Sequence, residues 1–205
     1  MSDPILKMSQ PKRAITRNDI LPMDQFKVIR GEKRAEIVAL KRHRRLAVGP
    51  FITFYFENFS TMWMQIHEML YIEKGGEEQI ADELAAYNPL IPQGRDLVAT
   101  MMIEIDDAVR RARALRQLTH IEASAFIDIG GQRIKARAES DVERTKADGK
   151  TSAIHFLHFD FTPDQIAAFR DLSQPAMIGF DHPEYGHIAV IPAQSRQALG
   201  SDFVD

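Results

Sequence analysis

The stretch Ala123-Ser-Ala-Phe-Ile-Asp-Ile-Gly-Gly-Gln-Arg-Ile-Lys-Ala-Arg-Ala138 decides the fold class. Two alternating runs flank Gly130-Gly131, and a two-glycine turn supplies the positive φ angles that a tight antiparallel hairpin requires. Ile134, Ala136 and Ala138 then face inward. Arg133, Lys135 and Arg137 face outward, where charge on an exposed strand discourages edge-to-edge aggregation. A second hairpin is predicted where Ala176 to Phe180 and His187 to Ile191 frame the turn Asp181-His-Pro-Glu-Tyr-Gly186.

Working outward, period-two alternation predicts strands over residues 51–57, 97–105 and 154–161. Helices are predicted over 19–29 and 32–44, separated at Gly31, and from an Asn58 or Ser60 cap to Gly75-Gly76. Others cover 77–87, the segment after Asp106-Asp107, and the segment opened by Thr162-Pro163. Strands outnumber what a parallel three-layer fold needs, and the hairpins are explicit. The fold class is therefore α+β, with a mostly antiparallel sheet and helices concentrated in the N-terminal 120 residues. Residues 1–17 read as a loose N-terminal tail and 18–205 as a single α+β domain. The polar segment 139–152 is long enough for a lid or binding loop.

Composition narrows the chemistry. In 205 residues, 26 Lys and Arg stand against 29 Asp and Glu, a net charge of −3, and 44% of residues are hydrophobic, the balance of a soluble globular protein. This charge argues against a nucleic-acid partner, whose domain is usually basic. Cysteine is absent, which excludes disulfides, thiolate nucleophiles and an iron–sulfur cluster on Cys ligands. No apolar run approaches the ~18 residues of a membrane span, and no signal peptide opens the chain, so the expected location is cytoplasmic, with no membrane association. Neither Gly-x-Gly-x-x-Gly nor Gly-x-x-x-x-Gly-Lys occurs. The basic run Lys41 to Arg45 reads as a solvated helix end that complements the helix dipole.

Ionisable residues among apolar strand positions are the candidates for chemistry. His155 and His158 fall on opposite faces of one strand and do not chelate together, whereas His158 and Asp160 share a face. Glu57 ends an aromatic strand and Glu104 interrupts an apolar one. A buried carboxylate needs a partner or a cation, so convergence of such groups would make a nitrogen and oxygen site for iron, manganese or zinc. Asp181, His182, Glu184, Tyr185 and His187 crowd two acids and two histidines into one turn, where Pro183 and Gly186 also satisfy ordinary turn chemistry.

Several blocks carry a family resemblance: Arg45-Arg-Leu-Ala-Val-Gly-Pro50 leading to Phe56-Glu-Asn58, then Gln65-Ile-His-Glu-Met-Leu70, Tyr87-Asn-Pro-Leu-Ile-Pro92, Ala99-Thr-Met-Met-Ile-Glu104, Thr151-Ser-Ala-Ile-His-Phe-Leu157 and Asp181-His-Pro183. Together, over about residues 18 to 192, they resemble a bacterial family catalogued as domain of unknown function 3501. The resemblance adds weight to Glu57, Glu68, Glu104, His155 and His182. It implies an auxiliary role beside rubrerythrin-like and iron–sulfur oxidoreductase proteins.

Two readings follow. One is an adaptor or accessory component of such a redox system, with an iron–sulfur oxidoreductase or rubrerythrin-like partner and scope for a homo-oligomer. The alternative is a small non-haem enzyme binding a divalent transition metal through Glu57, Glu104, His155 and His182. A third option is a small anionic ligand held near the Arg-rich helices.

Overall fold

The computed structural model describes residues 12–139 and 149–204. Among them the chain forms six α-helices and eight strands. In chain order these are α1 (Met23–Lys41), β1 (Arg45–Val48), β2 (Ile52–Phe56), α2 (Phe59–Glu73), α3 (Gly76–Tyr87), β3 (Asp96–Ile103), α4 (Ala108–Gln117), β4 (Ala125–Ile129), β5 (Gln132–Ala138), β6 (Ile154–Asp160), α5 (Pro163–Arg170), β7 (Ala176–Phe180), β8 (Ile188–Val190) and α6 (Ala193–Gly200). The α+β reading holds, and every strand pairing is antiparallel.

The strands form one sheet in the order β1-β2-β3-β6-β5-β4-β7-β8. β5 changes partner midway: Gln132 to Lys135 pair with β4, whereas Ala136 to Ala138 pair with β6. The sheet curls until its edge strands β1 and β8 touch. The Tyr185 hydroxyl reinforces that closure by donating to the Val48 carbonyl at 2.8 Å.

Alternation along each strand sends one set of side chains into a common interior. Val48, Phe54, Leu97, Met101, Ile127, Leu157, Phe159 and Ile178 all belong to this core. Leu115 and Leu118 join it from the α4 region, and Phe169 and Leu199 join it from α5 and α6. A second apolar cluster lies outside the sheet, where Met62, Ile66 and Leu70 of α2 and Ile80 of α3 pack with Val98. The two clusters explain why β3 is buried on both faces, although alternation alone predicts one wet side.

Local signals account for most boundaries. Asn58 caps α2 by accepting from the Thr61 N–H, Asp107 caps α4, and Thr162 caps α5 with Pro163 in the first turn. Gly130 and Gly131 take φ of +58° and +88°, as the hairpin requires.

Three expectations change. Gly31 does not divide two helices, because α1 runs through it; nothing crowds the position, and a glycine inside a helix costs only about 1 kcal/mol relative to alanine. The basic run Lys41 to Arg45 is not a solvated helix end throughout: α1 stops at Lys41, Arg44 is buried, and Arg45 opens β1, whose Leu46 and Val48 alternate into the core. The tail is anchored from Arg13 onward: Ile15 is buried, and its N–H and C=O pair with the Asn88 side chain at 2.7 and 2.9 Å. Residues 140–148 of the predicted 139–152 loop lie outside the described residues, as do residues 1–11.

Candidate functional site

The structure distributes the predicted site residues. Glu57 and Glu104 both lie on the outer face of the β2–β3 pair, at opposite ends. The Glu57 N–H meets the Val98 carbonyl, whereas the Glu104 N–H meets that of Phe51. Glu57 accepts from the Thr100 hydroxyl at 2.9 Å, and its other oxygen, Oε2, is buried with no hydrogen-bond donor among the described residues. Glu104 accepts from Thr53 at 2.7 Å and Tyr55 at 2.6 Å. Burial pushes the Glu104 carboxyl upward, but these two hydrogen bonds and the nearby Arg45 charge outweigh it and hold it below the usual carboxylate range.

His155 is fully buried on the inner face of β6, with the Ser152 carbonyl 2.9 Å and the Thr151 hydroxyl 3.1 Å from Nε2. Glu122 stands 3.6 Å from its Nδ1. His158, on the outer face, lies between Asp96 at 3.7 Å and Glu139 at 4.0 Å. Asp160 turns instead to Arg137, at 3.0 and 3.3 Å. His182 acts within its turn: Nδ1 accepts the Glu184 N–H at 3.2 Å, so Nε2 carries the proton toward the Thr119 carbonyl at 3.1 Å. Among the described residues no group of three or more His, Asp or Glu side chains is placed to hold a metal ion. Glu68 forms a two-pronged ion pair with Arg30, both contacts at 2.8 Å, clamping α1 to α2.

Concavities form elsewhere. The first, of about 480 Å³, opens between the start of α1 and the α2–α3 junction. Leu21, Met23, Leu70, Tyr71 and Ile80 give it apolar walls, and Lys27, Lys74 and the Arg17–Glu77 pair stand around them. Among the described residues neither the Lys27 nor the Lys74 ammonium has an ion-pair or hydrogen-bond partner. Lys74 reaches its place by adopting φ +57°, a left-handed conformation that ends α2 and lets Gly76, at φ +71°, begin α3.

His67 organises the floor behind this cleft. Its Nδ1–H donates to the Trp63 carbonyl at 2.7 Å, and its Nε2 accepts the N–H of Leu21, a cleft residue, at 3.0 Å. Phe26 and Trp63 pack on the ring, with centroids 4.9 and 3.9 Å away. Burial lowers the His67 pKa more than the Trp63 hydrogen bond raises it, so the ring is held neutral.

A second concavity, of about 360 Å³, lies between α4 and the turns that precede β2 and β8. Arg110 and Arg113 face it from the helix, and Phe51, Tyr185 and His187 line it from the turns.

Sequence reasoning missed Arg44, His67 and Arg196, all buried. Arg44 hid inside a basic run, and the Leu46–Val48 alternation was the available signal that a strand began there. Arg196 donates to the carbonyls of Ala168, Phe169, Asp171 and Gln174 at the end of α5. No local pattern links it to that distant helix.

A family model described as "Protein of unknown function (DUF3501)" matches residues 14–203. The crystal structure of a novel protein of unknown function from Burkholderia pseudomallei K96243 is similar, with a TM-score of 0.86 and 35% sequence identity over 93% of this chain and 100% of that one. No curated protein gives a significant match.

Proposed function

The chain belongs to the DUF3501 family, and from that premise we propose that it is an accessory binding protein whose recognition site is the cleft between α1 and the α2–α3 junction. The observation that carries this reading is the combination of apolar walls with two unpaired lysines, Lys27 and Lys74, at one opening. Such a cleft favours a ligand with an apolar body and an anionic end, because the body displaces water from Leu21, Leu70 and Ile80 while the anion meets the ammonium groups. A straight-chain carboxylate has that chemistry. The volume falls within the range of small-molecule sites.

Thermal-shift titration with octanoate and decanoate tests the reading, with acetate as the control that has the charge and lacks the chain. Saturable stabilisation by the two longer acids, lost in K27E/K74E, is the expected result. A ligand at a hundred times its Kd stabilises the fold by about 2.7 kcal/mol. No shift with either chain, or an undiminished shift in the double variant, would remove the cleft as the recognition site.

We further propose a redox context for the accessory role, suggested by the family resemblance. Its test is native affinity purification from the source cells. Recovery of an iron–sulfur or rubrerythrin-like partner with the absorbance of its iron is expected, and repeated recovery of the chain alone would end that assignment.

A further inference from the structure

We infer that the cleft between α4 and the turns preceding β2 and β8 is a second binding site, for a small planar aromatic anion. This goes beyond the accessory reading and rests on different residues.

One wall is cationic. Arg110, Arg113 and Gln117 recur at helical spacing along α4, so their side chains leave one face of the helix. Arg111, between them, is turned away to the Ile105 and Asp106 carbonyls at 2.8 and 3.3 Å. Among the described residues the guanidiniums of Arg110 and Arg113 have no hydrogen-bonded or ion-paired acid, and Glu184 is the one carboxylate lining the cleft. Two planar donor forks facing one space match the geometry of a carboxylate or phosphate.

The opposite wall is aromatic and held in place. Tyr185 is buried between Phe51 and His187, with ring centroids 4.8 and 4.5 Å away. Its hydroxyl donates to the Val48 carbonyl and accepts the Phe51 N–H at 3.3 Å, so the Phe51 backbone is fixed along with the ring. Phe51 remains half-buried and His187 exposed, which leaves ring surface for a ligand. Gly49 permits this packing: a Cβ there would lie 2.6 Å from the Tyr185 oxygen and 2.7 Å from His187. A rigid ring surface facing two free guanidiniums selects a flat apolar body carrying a negative group.

The carboxylate and phosphate sources share this chemistry and are separated by a matched pair of probes, benzoate and phenyl phosphate, titrated calorimetrically at low salt. Saturable binding of at least one is expected, with the tighter probe identifying the anion. R110A/R113A should weaken it about tenfold or more, because two charge-assisted contacts are lost. Both substitutions are on the exposed side of a helix, and unchanged far-UV circular dichroism and Tm would show that the fold is kept. The loss of binding caused by R110A/R113A should be the same in the K27E/K74E background, which separates this site from the first cleft. Cyclohexanecarboxylate, with the same charge on a puckered ring, should bind several-fold more weakly than benzoate. The inference is overturned if neither probe binds, if the arginine double variant binds equally well, or if the puckered acid matches benzoate.

Discussion

Arg44 and Asp202, 158 positions apart in sequence, form a buried ion pair that ties the start of the sheet to the C-terminal segment. The guanidinium is fully committed. Nε donates to the Phe56 carbonyl, Nη2 to that of Glu57, and Nη1 to that of Ala198, all at 3.0 to 3.1 Å. Burial raises the Asp202 pKa, and the Arg44 charge and hydrogen bond pull it back. Removing one member of a buried pair leaves an uncompensated charge, so R44M should cost about 3–5 kcal/mol by urea denaturation. R44M/D202L should recover part of that loss, because replacing both ions with apolar groups removes the desolvation penalty. A double variant no more stable than the single would show that the carbonyl contacts of Arg44, and not its charge balance, set its worth.

His67 predicts an acid-sensitive helical layer. Its folded pKa is below the ordinary 6.5, so the unfolded chain takes up a proton first as pH falls. The contribution is fully present above pH 6.5 and declines as the pH falls from there through the lower folded value. Tm measured from pH 8 down to pH 5 should therefore drop, and H67Q should flatten that part of the profile while lowering the plateau. An H67Q profile parallel to the natural one would assign the drop to other groups.

Gly49 should tolerate no side chain. Its φ is +70°, and a Cβ would collide with Tyr185 and His187. G49A should destabilise the protein by roughly 2 kcal/mol or more, since backbone strain and displaced aromatic packing add. Equilibrium denaturation gives the value. It should also weaken the benzoate or phenyl phosphate response, because the aromatic wall moves.

Asn88 provides a strand-like partner for Ile15 with its side-chain amide. N88A should release the anchored segment at a cost of about 1–2 kcal/mol. Limited trypsin digestion is the direct measure: cleavage after Arg13 and Arg17 should accelerate, with the sheet left intact. Unchanged cleavage would assign the anchoring to the Arg13 contacts with the Pro92 and Asp202 carbonyls.

Much of the architecture was legible because local and global signals agree. Gly130-Gly131 with alternating flanks identifies a hairpin without further help, and Asn58, Asp107 and Thr162 mark helix starts through their own side-chain chemistry. The opposite facing of His155 and His158 likewise follows from strand geometry. Other features depend on segments far apart in the chain. Nothing around Arg44 announces Asp202, and nothing around Tyr185 announces Val48. The first cleft joins the start of α1 to the α2–α3 junction and the second joins α4 to the turns before β2 and β8, so neither has a contiguous pattern. Glu57 and Glu104 each lie one residue beyond the end of a strand, on the outer face that alternation predicts, but alternation says nothing of the distance between them along that face.

The pairing of β3 with β6, from Asp96 opposite Asp160 to Met102 opposite Ile154, also governs how the chain reaches its native state. The β1–β2 and β4–β5 ribbons are local and can form early, but the central seam must wait for a long excursion containing α4 and the β4–β5 ribbon to close. Topologies dominated by such distant contacts refold in roughly milliseconds to seconds. The rate-limiting nucleus is therefore expected at this seam, where truncating Val98 or Leu157 would slow refolding more than it speeds unfolding.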